Sequence, residues 1–234
     1  MNQAVRVAAR TKPATHALIV LHGLGDTGQG WSFLADELQD EPCFMNTNFI
    51  FPNAPHMPIT ANGGAHMPGW FDIEEWDPHM RKFDVNGYMQ SLSEVEKYVQ
   101  EQISLGIQPQ NIIVGGFSQG AALALGCALN LKEKIGGIFA LSGFIHPGVK
   151  EVIWPNEEQE KLKSCNLGTK IFHGHGDWDP IVALEKGKQA EEFMTGSCGF
   201  KDYSFHEYHG MEHSVCPQEL KDLSSYIKSC WNMK

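Results

Sequence analysis

The chain has 234 residues, of which 42% are hydrophobic, so it is long and apolar enough to bury a substantial core. Its formal net charge of -10 disfavours a nucleic-acid partner or an anionic membrane surface, since both need clustered lysine and arginine. The six cysteines are dispersed without a Cys-x-x-Cys pair, so they indicate neither a zinc ribbon nor a dithiol redox motif.

The N-terminal residues do not resemble a targeting segment. Residues 1–15 are polar, with Arg6, Arg10 and Lys12, and lack the apolar core of a signal peptide. The longest apolar runs, such as Ala17–Leu21, are far too short to span a bilayer. No Pro/Ser-rich linker or charge block divides the chain. We therefore expect a single domain over residues 1–234, in the cytoplasm, with reduced thiols.

Short apolar runs alternate with amphipathic patterns along the chain. The runs typical of buried strands are Ala17–Leu21, Phe49–Phe51, Asn111–Val114, Gly137–Leu141, Lys170–Phe172 and Tyr203–Phe205. The predicted helices are Trp31–Leu38, Val85–Leu105, Gln119–Leu131, Ala183–Met194 and Pro217–Trp231. Strands that alternate with helices predict right-handed crossovers and a mostly parallel sheet covered on both faces. The predicted fold class is therefore α/β.

Two stretches interrupt this alternation. Pro52–Phe83 contains five prolines among several aromatic residues, and Gly143–Gly168 is a second long segment with histidine, proline and tryptophan. Loops at the carboxyl ends of parallel strands carry function in sheets of this kind, so both are candidate pocket walls. The alternative is that their aromatic residues only attach a long loop to the core.

Residues 116–120 read Gly-Phe-Ser-Gln-Gly, a G-x-S-x-G string that is a weak signal by itself. Here it follows the predicted strand Asn111–Val114 and opens the predicted helix Gln119–Leu131, the setting that a nucleophile elbow requires. Small residues two positions on either side of Ser118 let the strand and the helix approach closely. The alternative is a serine that only caps the helix.

A nucleophilic serine needs a base to take its proton and a carboxylate to orient the base. In hydrolases with this elbow the partners follow in the order Ser, Asp, His. Asp177 and Asp179 follow the predicted strand Lys170–Phe172, and the last predicted strand is followed by His206, His209 and His213. The order of the chain therefore predicts a triad, while both the acid and the base stay open.

The loop of residues 22–28, His-Gly-Leu-Gly-Asp-Thr-Gly, allows two interpretations. Its glycines let a backbone N–H face the site as an oxyanion donor, together with the N–H of Gln119. It also fits the dinucleotide fingerprint G-x-G-x-x-G. That fingerprint requires an acidic residue at the end of the second strand, whereas Phe49–Phe51 runs into Pro-Asn-Ala-Pro-His. We therefore favour the oxyanion loop.

A metal site is the second alternative. His173, His175 and Asp177 form a short cluster of ligand types, similar to the start of the His-x-His-x-Asp-His string of metallo-hydrolases. The position where that string needs its next histidine holds Trp178. We therefore expect a turn that displays an aspartate, and no metal or other cofactor.

Seven motifs in this order together resemble the acyl-protein thioesterases and their relatives, the small carboxylesterases or lysophospholipases of the α/β-hydrolase superfamily. They are His22–Gly28, Phe51–Pro55, Gly69–Asp72, Gly115–Gly120, Leu141–Gly143, His175–Pro180 and Gly210–His213. The resemblance covers nearly the whole chain. It implies an α/β-hydrolase fold without a large cap domain.

Carried over position by position, the resemblance implies a role for each site residue. Ser118 is the nucleophile, His213 the base and Asp179 the acid, and the backbone N–H groups of Leu24 and Gln119 form the oxyanion hole. The apolar side chains of Pro52–Phe83, Trp70 and Phe71 first among them, are expected to bind the fatty chain.

The implied activity is hydrolysis of fatty acyl thioesters on S-acylated protein cysteines. The alternatives are a general carboxylesterase or lysophospholipase that acts on oxygen esters, and a hydrolase fold retained as a binding protein without turnover. The expected partners are S-acylated proteins and other acyl esters, with peripheral access to membrane-bound substrates and no nucleic acid. A weak homodimer and a nuclear as well as a cytoplasmic location stay open.

Overall fold

The computed structural model describes residues 3–76, 82–149 and 165–233. Within these residues the dominant feature is a seven-stranded sheet in the order β1-β3-β2-β6-β7-β8-β9. Its strands are β1 (Ala4–Val7), β2 (His16–Leu21), β3 (Thr47–Pro52), β6 (Ile112–Phe117), β7 (Gly137–Leu141), β8 (Lys170–Gly176) and β9 (Tyr203–Tyr208). Only β1 runs antiparallel to its neighbour in this sheet. The prediction of a mostly parallel α/β sheet is confirmed.

The helices whose bounds are described lie between strands in sequence, except the last, which follows β9. They are α1 (Gly28–Trp31), α2 (Phe33–Gln39), α3 (Val85–Ser104), α4 (Gln119–Asn130), α5 (Leu184–Glu192) and α6 (Pro217–Cys230). None of the helices in this part of the chain is long and apolar enough to cross a membrane. The helices predicted near residues 85–105, 119–131, 183–194 and 217–231 begin and end within about two residues of the observed bounds.

Buried side chains form two clusters, one on each face of the sheet. The first contains residues of α3 and α4, such as Tyr88, Leu92 and Leu123. The second contains residues of α1, α2 and α6, such as Trp31 and Leu223. Because both faces are covered, the central strands are apolar on both sides, which explains why their sequences are continuous apolar runs.

The sequence patterns did not predict three of the strands. β1 is a short strand at the edge of the sheet, and β4 (His56–Ile59) and β5 (Ala65–Pro68) form a separate antiparallel hairpin inside the predicted loop Pro52–Phe83. Pro58 and Pro68 lie in that hairpin. Proline argues against a central strand but is tolerated in edge strands, so the sequence pattern indicated a loop.

The sheet topology defines where a functional site can lie. β6, β7, β8 and β9 are consecutive parallel neighbours, so their carboxyl ends lie along one edge of the sheet. The residues that follow β6, β8 and β9 are Ser118, Asp177–Asp179 and His209–His213. Ser118, both aspartates, His209 and His213 therefore lie at the same edge, whereas the candidate base His206 lies within β9, which is longer than the predicted strand Tyr203–Phe205.

A buried carboxyl group lies at the start of α6. Glu219 has no exposed surface, and neither of its carboxyl oxygens has a hydrogen-bond partner among the described residues. Burial, and to a smaller extent the nearby Asp222, raises the pKa of this carboxyl to about 8. Glu219 is therefore neutral in the folded protein at neutral pH.

We predict that Glu219→Gln makes the protein relatively more stable as the pH rises. The unfolded carboxyl loses its proton near pH 4.5, whereas the folded one keeps it to about pH 8, so ionisation of the unfolded state lowers the wild-type stability between these values. The variant should gain up to about 4 kcal/mol relative to wild type between about pH 5 and pH 8, measured by urea unfolding.

The matched control for this prediction is Glu37→Gln, since Glu37 is an exposed carboxylate on α2. The free energy of unfolding of Glu37→Gln should change with pH as that of the wild type does over the same range. If the free energies of unfolding of Glu219→Gln and wild type changed with pH in the same way, the result would contradict a neutral, buried Glu219.

Candidate active site

Ser118 stands alone between strand β6, which ends at Phe117, and helix α4, which begins at Gln119. Its φ is 54° and its ψ is −117°, a backbone conformation that residues other than glycine rarely adopt. Its N–H donates to the carbonyl of Leu141 on the neighbouring strand at 2.9 Å, and no side-chain bond caps the helix. The structure therefore has the strained turn of a nucleophile elbow and not a helix N-cap.

The glycines of the elbow allow its close packing. A Cβ on Gly116 would lie 2.5 Å from the carbonyl carbon of Gly120, and a Cβ on Gly120 would lie 2.2 Å from the carbonyl oxygen of Leu21. Both distances are well inside van der Waals contact with rigid backbone atoms. Only glycine fits at the two positions, as the sequence pattern predicted.

A chain of hydrogen bonds joins Ser118, His213 and Asp179. The Nε2 atom of His213 lies 3.0 Å from Ser118 Oγ, and its Nδ1 atom lies 2.7 Å from Asp179 Oδ2. With the proton on Nδ1, the ring donates to the carboxylate and accepts from the hydroxyl, which is the tautomer that a general base needs. The His213 side chain is 16% exposed and that of Asp179 is fully buried.

The carboxylate of Asp179 is held by its own loop. Its Oδ1 atom accepts the N–H groups of Ile181 at 2.9 Å and Val182 at 2.8 Å. Burial raises the pKa of Asp179, but the hydrogen bonds from His213, Val182 and Ile181 outweigh burial and keep the pKa below its usual value. Asp179 is therefore an ionised acceptor in a fixed orientation.

The structure separates the alternatives that the spacing left open. Asp177 bonds to His209, at 2.7 Å between Oδ2 and Nδ1, and His206 stacks on Phe172 with ring centroids 4.8 Å apart. Neither histidine has a contact with Ser118. Asp179 and His213 are the pair that the structure brings to the serine.

Two residues near the serine are those whose N–H groups the family resemblance implies for an oxyanion hole. Leu24, in the loop after β2, and Gln119, the first residue of α4, line the same cavity as Ser118. The N–H of a first helical residue has no partner within its helix, so it is free to face a developing negative charge. His22 supports this loop, since its Nδ1 bonds to Gly23 O at 2.7 Å and its Nε2 accepts from Ala54 N–H at 3.0 Å.

The side chain of Gln119 has a positioning role that the sequence did not suggest. It is 1% exposed, its Oε1 accepts from Trp70 N–H at 2.8 Å, and its Nε2 donates to Phe71 O at 2.8 Å. A side-chain amide offers both a donor and an acceptor in one plane. Gln119 therefore fixes the segment that contains Trp70 and Phe71 next to the elbow.

An apolar cavity of about 470 Å³ opens from the triad. Its lining includes Ser118, His213, Trp76 and four phenylalanine side chains, Phe71, Phe83, Phe117 and Phe144. Trp70 is not among the described residues that line it: its indole N–H donates to His22 O at 2.8 Å, and its side chain is buried behind the wall. Of the two residues predicted to bind the fatty chain, the structure brings Phe71 alone to the cavity.

The predicted pocket walls are described in part. Phe83 and His146 come from the two long segments and stack with ring centroids 4.2 Å apart, and His146 Nε2 donates to Lys82 O at 2.9 Å. The two segments therefore contact each other at the cavity. Residues 77–81 and 150–164, including Pro78, Trp154 and Pro155, lie outside the described residues.

The histidines of the candidate metal cluster are part of the core. His173 and His175 are fully buried, and burial is the main factor that lowers the pKa of each. His173 Nδ1 lies 2.6 Å from the Tyr203 hydroxyl, and His175 Nε2 donates to Val182 O at 2.8 Å. Among the described residues no group of three or more His, Cys, Asp or Glu side chains could hold a metal ion.

The chain has relatives among proteins of known function and structure. A family model described as phospholipase/carboxylesterase matches residues 2–231. The chain is 53% identical to acyl-protein thioesterase 1 of Saccharomyces cerevisiae over 96% of each chain. It is also 41% identical to acyl-protein thioesterase 1 of Candida albicans, over 97% of this chain and 96% of the relative.

Solved structures show the same fold. The crystal structure of Arabidopsis thaliana SOBER1 matches with a TM-score of 0.79 at 29% identity, over 92% of this chain and 99% of that one. Zea mays acyl-protein thioesterase 2 matches with a TM-score of 0.79 at 24% identity, over 98% of this chain and 99% of that one. At this identity the second likeness concerns the fold alone.

We predict that Gln119→Ala destabilises the protein by about 2–4 kcal/mol in urea unfolding, because it leaves the buried Trp70 N–H and Phe71 carbonyl without partners. The matched control is Gln29→Ala, an exposed glutamine whose replacement should change the stability by less than about 0.5 kcal/mol. A Gln119→Ala variant as stable as the control would contradict the role of the amide.

Proposed function

The chain belongs to the phospholipase/carboxylesterase family, and from this membership together with the site at Ser118 we infer that it is an acyl-protein thioesterase. It is a serine hydrolase that cleaves fatty acyl thioesters from protein cysteines. The observation that carries the inference is the hydrogen-bonded chain Ser118–His213–Asp179 at the mouth of an apolar cavity. The relatives from Saccharomyces cerevisiae and Candida albicans are acyl-protein thioesterases, and the match covers 96% of each of them.

We propose that Ser118 is the nucleophile, His213 the general base and Asp179 the group that orients His213. Ser118 Oγ attacks the thioester carbonyl carbon while its proton passes to His213 Nε2, at 3.0 Å. When the tetrahedral intermediate collapses, the carbon–sulfur bond breaks and His213 protonates the departing cysteine thiolate. This first half of the reaction leaves the fatty acyl group on Ser118 as an ester.

The second half repeats these steps with water. His213 takes a proton from a water molecule, whose oxygen attacks the acyl ester carbon, and the proton then returns to Ser118 Oγ as the fatty acid leaves. We propose that the N–H groups of Leu24 and Gln119 hold the negative oxygen in both halves. One such donor typically contributes about 3 kcal/mol to lowering the barrier.

The cavity supports a fatty acyl substrate. Its aromatic walls can remove most of a long chain from water, and each buried methylene contributes about 0.8 kcal/mol. We propose that Phe71 contacts the chain directly, while Trp70 supports Phe71 from behind. Much of the recognition then lies in the lipid.

We further propose that residues 1–234 form one α/β-hydrolase domain, located in the cytoplasm and the nucleus. This domain reaches membrane-bound substrates peripherally and self-associates weakly as a homodimer. Three exposed apolar side chains support a surface that meets lipid or protein. They are Trp76, Trp178 and Ile181, of which Trp76 and Ile181 line the cavity.

We predict that Ser118→Ala abolishes the hydrolysis of a long-chain acyl thioester and the covalent labelling of the protein by a fluorophosphonate, while the far-UV circular dichroism stays unchanged. Ser225→Ala, which removes an exposed serine on α6, is the control and should keep both. A chelator should have no effect on the wild type. Turnover by Ser118→Ala at the wild-type rate would contradict the proposed nucleophile.

The general carboxylesterase alternative is tested with two substrates. We predict that kcat/KM for a palmitoyl thioester exceeds that for a short-chain oxygen ester by at least about 100-fold, since several buried methylenes together contribute several kcal/mol. The measurement is steady-state kinetics on both substrates with the same enzyme preparation. A higher kcat/KM for the short oxygen ester would favour the general esterase.

A further inference from the structure

The loops that carry Asp179 and His213 are joined beyond the end of the sheet. Strands β8 and β9 pair up to Gly176 and Tyr208. Asp177 N–H then donates to Tyr208 O at 3.2 Å, and Trp178 N–H donates to Met211 O at 3.2 Å. The segments that follow β8 and β9 therefore stay in contact from the sheet edge towards the triad.

The side chain of Asp177 adds two bonds at this point. Its Oδ2 atom accepts from His209 Nδ1 at 2.7 Å, and its Oδ1 atom accepts from Gly210 N–H at 2.6 Å. Since Asp179 and His213 also lie 2.7 Å apart, two Asp–His pairs link the same two loops. One carboxylate thus holds two consecutive residues of the loop that carries the catalytic base.

The residues held by Asp177 form the turn that leads to His213. Gly210 has a φ of +72°, a left-handed conformation, and it lies three residues before His213. A bond to its N–H together with a bond to the preceding side chain restricts the rotation of this turn. The direction in which the chain leaves the turn decides where His213 lies.

Asp177 acts at a distance from the substrate. Neither Asp177 nor His209 is among the described residues that line the cavity, and the His209 side chain is 88% exposed. The hydrogen bond from His209 is the main factor that holds the pKa of Asp177 below its usual value, and the N–H of Gly210 adds to this effect. The carboxylate is therefore ionised and ready to accept both bonds at neutral pH.

We propose that Asp177 is a positioning residue for the thioesterase reaction: its carboxylate, by binding His209 and Gly210, fixes the turn that delivers His213 Nε2 to within 3.0 Å of Ser118 Oγ. The proposal rests on the function proposed above. A displacement of about 1 Å at a catalytic base can lower the rate by about 100-fold, so a modest loosening of this turn is enough to matter.

The test compares Asp177→Ala with Asp177→Asn in the full chain. Alanine removes both acceptors. Asparagine keeps an oxygen for Gly210 N–H, and its NH₂ group can donate to His209 once that ring carries its proton on Nε2. We expect Asp177→Ala to lower kcat for a long-chain acyl thioester by about 10- to 100-fold with KM within about twofold of wild type, and Asp177→Asn to recover most of the loss.

The matched control is Lys188→Ala, which breaks an exposed ion pair of 2.8 Å between Lys188 and Glu207 on β9. This pair joins helix α5 to β9 and does not lie in the triad loops. Its kcat should stay within about twofold of wild type. His209→Ala removes one of the two bonds and should give a loss smaller than that of Asp177→Ala.

All rates are expressed per active site, titrated by fluorophosphonate labelling, so that a poorly folded fraction does not count as slow catalysis. The second-order labelling rate should fall with kcat in Asp177→Ala, because the same base activates Ser118 in both reactions. A per-site kcat of Asp177→Ala within twofold of wild type, or equal losses in the alanine and asparagine variants, would overturn the proposal. A wild type that neither labels nor hydrolyses would instead overturn the proposed function.

Discussion

The close contact between strand β6 and helix α4 is the constraint on which the site depends. Ser118 occupies its strained conformation because Gly116 and Gly120 let the strand, the helix and the backbone of Leu21 approach within distances that no side chain permits. The same turn places Ser118 at the end of β6 and Gln119 at the first position of α4. The proposed nucleophile and one proposed oxyanion donor therefore depend on one packing contact.

The order of the strands in the sheet brings His213 to Ser118. Ser118 and His213 are 95 residues apart in sequence, and they meet because β6, β7, β8 and β9 are parallel neighbours whose carboxyl ends lie at one edge. Buried polar groups then fix the connecting loops: His175 holds the carbonyl of Val182, and Ile181 and Val182 hold Asp179. The cost of burying these groups is met because each has a partner.

Much of this was accessible from the sequence, and the exceptions have a physical cause. The central strands were found because burial on both faces makes them uniformly apolar, and the elbow was found because its glycines are sterically required. The hairpin of β4 and β5 was missed because its prolines are typical of loops. Trp70 and Phe71 are adjacent aromatic residues, and the sequence does not show that the Trp70 indole N–H donates to His22 O while Phe71 lines the cavity.

The two aspartates of residues 177–179 show the limit of spacing most clearly. Both are carboxylates, both follow β8, and each lies 2.7 Å from a histidine of the loop after β9. Their difference lies in their surroundings: Asp179 is enclosed beside the cavity, whereas Asp177 faces a histidine that is 88% exposed. A triad acid needs a fixed, buried carboxylate, while a turn needs an acceptor for several donors. The pairing of β8 and β9 sets the register between the two loops. This register places one aspartate at the surface and the other in the site, so the same residue type meets both needs.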